Sequence, residues 1–259
     1  MRLASLGSGS KGNATLIRAG DTLVLVDCGF AVRETCDRLA RLGLTPADLS
    51  AVLVTHEHGD HIRGVLPLAR RYRLPVHMTF GTLRAISAPN SRHNLDGVAV
   101  HEVRPGRAFH VGDLAILPVP VPHDAREPCQ YVFEGGGRRT GVLTDLGSIT
   151  LHVTEAYSAC DALLLECNHD PALLAAGPYP FSLKRRVGGD LGHLSNQQAG
   201  SLVRVLEQHR LQHLVLSHLS EQNNTPAHAL GAIAAAGLDD TARVRVASQQ
   251  QGFDWLEVN

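Results

Sequence analysis

The segment Val52-Leu53-Val54-Thr55-His56-Glu57-His58-Gly59-Asp60-His61 places four ligand-type side chains within six positions, directly after an apolar run. Residues 51–54 have the short, β-branched character of a buried strand. A chain that leaves a strand in extended form projects alternate residues to one side, so His56, His58 and Asp60 converge. A helix predicted from about Asp60 to Tyr72 swings His61 towards the same cavity. One loop can thus offer imidazoles to one metal ion and an Asp-His pair to a second. Neutral imidazole and carboxylate oxygen suit Zn²⁺ and its first-row neighbours. A surface loop that is histidine-rich by chance explains the spacing poorly.

Outward from this loop, short strands alternate with helices. Upstream, 14–18 and 22–27 read as a hairpin around Gly20-Asp21, followed by a helix over 31–43. Thr45-Pro46 is an N-cap with proline at the first helical position. Downstream, strands are predicted at 98–103, 113–121, 129–134, 139–144, 162–167, 213–217, 243–247 and 252–257. Helices are predicted at 148–159, 195–209 and 226–236, the second opened by a Ser195/Gln198 capping box. The stretch 168–192 reads as irregular. This pattern predicts an α/β chain with two mixed β-sheets flanked by helices. In Leu117-Pro118-Val119-Pro120-Val121-Pro122-His123 the prolines share one parity, so one flank of that strand has no N–H to donate. His123 has the other parity and shares a face with Val119 and Val121. No linker divides the sequence, which predicts one domain over 1–259.

The 259 residues carry 24 Lys and Arg against 25 Asp and Glu, a formal charge of −1, with 44% hydrophobic and 19% charged content. A chain of this size buries roughly three quarters of the surface its unfolded form exposes. Disorder, collagen and a strongly basic nucleic-acid-binding protein are excluded. Only Lys11 and Lys184 are lysines, an arginine bias that fits phosphate recognition but fits genomic base composition better. Histidine is in excess at 15, against six Phe, four Tyr and one Trp. His77, His93, His101, His110, His152, His209, His213 and His228 match no motif and are expected at the surface or in the core. Cysteines at 28, 36, 129, 160 and 167 form no C-x-x-C pair and read as reduced thiols of a cytoplasmic protein. The N-terminus lacks an apolar core long enough for a signal peptide, and no stretch approaches a membrane span.

The pattern of His56, His58, Asp60 and His61 resembles the H-x-H-x-D-H signature of the metallo-β-lactamase superfamily. The likeness continues in order along the chain. Asp27, in Val26-Asp27-Cys28-Gly29, matches the first-motif acid, which in that family orders the metal-binding loop instead of ligating. His123 matches the third-motif histidine, Asp145 in Leu143-Thr144-Asp145-Leu146-Gly147 the metal-bridging carboxylate, and His218 in Leu216-Ser217-His218 the final ligand. The resemblance covers residues 1 to about 220 and implies an αβ/βα four-layer sandwich with two divalent metal ions, Zn²⁺ or Mn²⁺, at the edge of the sheets. One ion would take His56, His58 and His123, the other Asp60, His61 and His218, with Asp145 between them. Two such ions about 3.5–4 Å apart polarise a substrate oxygen and supply a bridging hydroxide near neutral pH. The implied reaction class is hydrolysis. A flavodiiron oxidoreductase fits less well, because that branch has Glu where this chain has His58.

Ser5-Leu6-Gly7-Ser8-Gly9-Ser10-Lys11-Gly12-Asn13-Ala14-Thr15 is similar to the opening of the YycJ/WalJ-type branch, regarded as 5′-to-3′ exonuclease-like phosphodiesterases. Its glycines let the backbone approach a ligand, and Ser8, Ser10 and Asn13 can cradle a phosphate. Without the metal motif such a turn is an ordinary loop. Gly192-His193-Leu194-Ser195-Asn196 lies where nucleases of the β-CASP group carry a histidine that contacts the scissile phosphate. An imidazole there can stabilise developing charge or protonate the leaving oxygen; packing before a helix is the plainer role for His193. Asp60 and His193 are the expected catalytic residues. Lys184 and Arg185, beside Arg186, can neutralise phosphates or form a solvated face.

Only 47 residues separate Asp145 from His193, too few for a β-CASP insert. With the chain at −1, contact with nucleic acid must be local, which points to strand ends. The expected activity is therefore that of a dinuclear metal-dependent phosphodiesterase acting on nucleic-acid ends. The alternatives are a small-molecule cyclic phosphodiesterase of the PhnP type, a lactone or thioester hydrolase, and a metal-binding regulatory module without turnover. The intact ligand set argues against the last. No membrane partner is expected, and the sequence sets no oligomeric state.

Overall fold

Alternation along the strands sorts side chains into layers. In β3 (Thr22–Val26), Leu23 and Leu25 enter one core cluster while Val24 and Val26 enter another, the division expected of a strand buried on both faces. The computed structural model describes every residue except Asp239 and Thr241. Its first sheet has the spatial order β14 (Phe253–Glu257), β1 (Arg2–Gly7), β2 (Ala14–Ala19), β3, β4 (Ala51–Leu53), β5 (Val76–Thr79) and β6 (Val100–Val103). The second has the order β13 (Val244–Val246), β12 (His213–Ser217), β11 (Ala162–Glu166), β10 (Arg138–Leu143), β9 (Cys129–Gly135), β8 (Leu114–Pro120) and β7 (Phe109–Val111). Both sheets are mixed. Pairing is antiparallel from β14 to β3 and parallel from β3 to β6, and likewise parallel from β13 to β10 and antiparallel from β10 to β7.

Helices α1 (Val32–Arg41), α2 (Gly59–Ile62), α3 (Val65–Tyr72) and α4 (Phe80–Ile86) cover the outer face of the first sheet. Leu39, Ile62, Leu66 and Ile86 bury there against Leu16 and Leu25. On the second sheet, α5 (Leu151–Tyr157), α8 (Asn196–Val205) and α9 (Pro226–Ala235) do the same through Val153, Leu202 and Ile233. The short helices α6 (Pro171–Ala176) and α7 (Phe181–Val187) occupy the stretch expected to be irregular. A third core, with Ile17, Leu53, Ile116, Phe133, Leu164 and Val215, fills the space between the sheets. Each such side chain contributes about 1.5–3 kcal/mol by leaving water. The layers are thus helices, sheet, sheet, helices. No helix among the described residues is long and apolar enough to cross a membrane.

Three departures from the sequence reading have local causes. The helix predicted over 60–72 is two helices broken at Arg63-Gly64. There the Gly64 N–H donates to the Cys28 carbonyl at 2.7 Å, and a Cβ on Gly64 would lie 1.9 Å from the Phe30 carbonyl oxygen. The strand predicted over 113–121 pairs with β7 only as far as Ile116 and with β9 as far as Pro120. Beyond Ile116 the proline flank meets no strand, and it still accepts from the Gly106 N–H at 2.7 Å through the Pro118 carbonyl. Strands β1 and β5 escaped prediction because both are buried nearly throughout and show little apolar–polar alternation. The capping boxes at Thr45/Asp48 and Ser195/Gln198 are both present.

Candidate metal centre

The ends of adjacent strands meet at one edge of the sandwich, and the ligand-type residues sit in the loops they feed. Asp27 follows β3, His56–His61 follow β4, His123 follows β8, Asp145 follows β10, Glu166 closes β11 and His218 follows β12. Asp27, Asp145 and His218 have φ of +60°, +52° and +54°. Few non-glycine residues adopt that left-handed region, and their clustering at one site marks backbone strain held by its surroundings.

Three imidazole nitrogens converge in the first cluster. His58 Nδ1 lies 3.0 Å from His56 Nε2 and 3.3 Å from His123 Nε2. Ligands 2.0–2.1 Å from a tetrahedral zinc lie roughly 3.3 Å apart, so the spacing fits one ion. The other ring nitrogens are engaged: His56 Nδ1 is 2.9 Å from Thr55 Oγ1, and His123 Nδ1 donates to the Gly192 carbonyl at 2.9 Å. The latter bond leaves the His123 Nε2 lone pair turned to the cluster. Burial holds His56 well below the ordinary imidazole range and lowers His123, so both rings are neutral and ready to ligate.

The second cluster is charged. Asp60 Oδ2 lies 3.5 Å from both His61 Nε2 and His218 Nε2, and Asp145 Oδ2 lies 3.1 Å from His61 Nε2. Asp145 Oδ1 is 3.9 Å from His123 Nε2, which sets this carboxylate between the clusters. Asp145 Oδ2 and His218 Nε2 are buried without a hydrogen-bond partner, a costly state that a bound cation relieves. Burial raises Asp60 and Asp145, but the neighbouring histidines outweigh it and hold both well below the usual carboxylate range. Burial disfavours charged His218, yet Asp145, Asp60 and Glu166 push it up to about 10, and the same balance raises His61. Asp27 stands behind the ligands. It accepts from His61 Nδ1 at 2.7 Å, from the Thr55 N–H at 2.9 Å and from the Thr55 hydroxyl at 2.8 Å, fixing both the His61 ring and the loop. Each cluster draws on both halves of the molecule, His123 and His218 coming from the second sheet.

Glu166 is the site residue that the sequence reading missed. It is fully buried, and its Oε1 accepts from His193 Nδ1 at 2.8 Å and His218 Nδ1 at 2.9 Å. Its Oε2 accepts from the Leu146 and Leu194 N–H groups at 2.8 and 3.0 Å. Burial opposes its charge, but these histidines lower it to about 2. The available signal was a lone acid closing the apolar run Ala162-Leu-Leu-Leu-Glu166, the same strand-end placement as Asp27.

The family model of the β-lactamase superfamily domain matches residues 22–219. The chain belongs to the metallo-β-lactamase superfamily. It is 36% identical over 220 residues to exodeoxyribonuclease WalJ of Streptococcus pneumoniae, covering 85% of this chain and 81% of that one. It is 34% identical over 224 residues to exodeoxyribonuclease YycJ of Bacillus anthracis, covering 86% and 84%. Those relatives place it in the WalJ/YycJ-type branch of the superfamily. Zinc-bound PqqB from Methylobacterium extorquens superposes with a TM-score of 0.74 at 17% identity, over 99% of this chain and 100% of that one. A diphosphatase of the PhnP family superposes at 0.69 and 21% identity, over 99% and 97%. Both share the superfamily fold.

Around this metallo-β-lactamase centre, the N-terminal loop divides its labour. Ser8 is buried and its hydroxyl accepts from the His218 N–H at 2.8 Å. Asn13, also buried, accepts from the Gly9 N–H at 2.9 Å and turns its Nδ2 to His61 Nε2 at 3.1 Å and Asp60 Oδ2 at 3.4 Å. These two brace ligands, while Ser10 is exposed and lines an open groove. Of the basic triplet, Lys184 donates to the Ala175 carbonyl at 2.6 Å, and Arg185 makes no hydrogen bond or ion pair to the centre among the described residues. Arg186 reaches it instead, 2.5 Å from Asp124, whose other oxygen is 3.5 Å from His123 Nε2.

Proposed function

We propose that this chain is a dinuclear metal-dependent phosphodiesterase that hydrolyses nucleic-acid ends, acting as a 5′-to-3′ DNA exonuclease through a single cytoplasmic domain without a β-CASP insert. The observation that carries this is the pair of three-ligand clusters joined by Asp145. Naming of the WalJ and YycJ relatives as exodeoxyribonucleases supports the substrate class. Five free cysteines suit a reducing compartment.

His56, His58 and His123 would hold one divalent ion and Asp60, His61 and His218 the other, with Zn²⁺ and Mn²⁺ both compatible with this ligand set. Two ions so placed would polarise a phosphoryl oxygen and lower the pKa of water towards 7. The chain's own residues supply the rest. Asp60 and Asp145 provide fixed negative charge that orients the centre. Glu166 accepts a hydrogen bond from the His193 Nδ1–H, so His193 Nε2 is the nitrogen turned to a substrate. Burial opposes charge on His193, but Glu166 and Asp145 raise its pKa, which favours the protonated ring. It can give that proton to the leaving oxygen, an effect worth about 10²–10⁴ in rate.

The deciding assay offers 5′- and 3′-labelled single- and double-stranded DNA and RNA, with Mn²⁺ or Zn²⁺. Release of mononucleotides from DNA ends is the expected result. Hydrolysis confined to small cyclic phosphates would transfer the reading to a PhnP-type activity.

A further inference from the structure

A groove of about 1150 Å³ opens at Gly59 and Asp60 and leads away from the metal centre across the helices of the first sheet. Its volume exceeds the usual 300–1,000 Å³ or so of a small-molecule site. Lys11, Arg38, Arg63, Arg70 and Arg92 line it, against the carboxylates Glu34 and Asp60. Two of these bases are neutralised, Arg38 by Glu34 at 2.8 Å and Lys11 by Glu221 at 2.6 Å.

Arg63, Arg70 and Arg92 have no carboxylate partner among the described residues. Arg63 and Arg70 are instead anchored by backbone carbonyls, Gly29 at 3.0 Å and Asp96 at 2.8 Å. A carbonyl fixes a guanidinium in place and leaves its charge uncompensated. These two charges and that of Arg92, concentrated in one groove of a chain at −1, create a local field that concave, low-dielectric walls focus. Guanidinium is also the side chain best matched to phosphate oxygens. The only Phe, Tyr or Trp in the lining, Phe30, is 2% exposed, so the half-buried His93 is the one ring left for a base to meet.

We propose that this groove holds the DNA strand that stays bound while its end is cut, with Arg63, Arg70 and Arg92 facing successive backbone phosphates. This rests on the phosphodiesterase reading above and adds the path of the polymer. Recognition there is through the backbone, without sequence preference. The near-neutral chain therefore binds a polyanion by one local track instead of a basic surface.

The test compares wild type with Arg63→Gln/Arg92→Gln, and with Arg63→Lys/Arg92→Lys as the charge-retaining control, on a long single-stranded oligonucleotide and on bis-p-nitrophenyl phosphate. Strand binding is read by fluorescence anisotropy over a salt series, and folding by thermal melting. The glutamine variant should raise KM for the oligonucleotide about tenfold or more and leave turnover of the small diester unchanged. Its salt slope should be shallower by about 1.4, since each phosphate contact on a single strand contributes about 0.7. The lysine variant should restore the slope. Oligonucleotide KM and salt slope unchanged in a folded glutamine variant would overturn the groove assignment, even with phosphodiesterase activity intact. A wild type that binds the strand with this salt dependence but cleaves neither substrate would sink the catalytic reading and leave the groove standing.

Discussion

Glu166 Oε1 stands 2.8 Å from His193 Nδ1, and the same oxygen also receives His218 Nδ1. One carboxylate thus sets the tautomer of a proposed metal ligand and of the proposed proton donor together. Glu166→Gln should disturb both. The two backbone N–H groups at Oε2 would keep the amide oxygen, turning the amide NH₂ towards two ring N–H groups that need an acceptor. Loss of such supporting partners costs about 10–100-fold in metal affinity or activity. Steady-state kinetics with a metal titration should show both kcat and metal affinity falling, and a variant with wild-type values for both would refute the role.

His58→Ala and Asp145→Ala remove ligands and should abolish activity together with bound metal. His193→Ala should retain metal and lose about 10²–10⁴ in kcat. Elemental analysis of purified variants beside single-turnover rates separates the two classes. Metal loss on removing His193 would make it a ligand.

Polarity follows from where the parts of the site lie. His193 belongs to the second half of the chain, and the basic groove is built mainly by helices and loops of the first. With cleavage between phosphorus and the 3′ oxygen, a retained strand in the groove and His193 at the leaving oxygen require that oxygen to be the 3′ oxygen of the released nucleotide. Water's oxygen bonds to phosphorus, the bond from phosphorus to the 3′ oxygen breaks, and the phosphate stays on the strand as a new 5′ end. A 5′-labelled strand should release its label as mononucleotide in the first turnover, while a 3′-labelled strand shortens stepwise. Immediate release of the 3′ label would reverse the assignment of leaving group and groove.

His77, away from the metal centre, gives a pH prediction independent of bound ions. Its ring stacks on His101 at 4.9 Å and Phe109 at 5.1 Å between centroids. Burial, helped by repulsion from His101, lowers it to about 4, against an ordinary value of about 6.5. The folded state favours the neutral ring, so its contribution is present above about pH 6.5 and disappears as pH falls through about 4. Allowing for solvent screening of a partly exposed ring, that contribution is about 1–2 kcal/mol. Urea unfolding of wild type and His77→Phe between pH 7 and 4 should show the smaller decline in the variant; parallel curves would refute it.

Parity made much of the centre legible. Alternate residues after a strand brought His56, His58 and Asp60 together, and three prolines of one parity pointed His123 to the other face. Asp145 and His218 were recognisable by resemblance alone, because a single polar residue after an apolar strand carries no periodic signal and neither left-handed backbone is announced by glycine. Glu166 stayed hidden for the same reason. The break at Gly64 has no signal in the predicted helix over 60–72, since only the chain pressed against it, Phe30, forces it. Arg63, Arg70 and Arg92 looked like compositional bias until the fold set them along one groove.

Each proposed ion takes its three ligands from both halves of the molecule. Competence is a property of how two sheets dock, and catalysis tolerates misplacement on the order of 1 Å poorly. At that seam the Tyr131 hydroxyl, from the second sheet, donates to the Val54 carbonyl at 2.7 Å, two residues before His56. A cavity cut there, as in Tyr131→Leu, shifts one half of the centre against the other, so damage far from any ligand reads out first as lost chemistry.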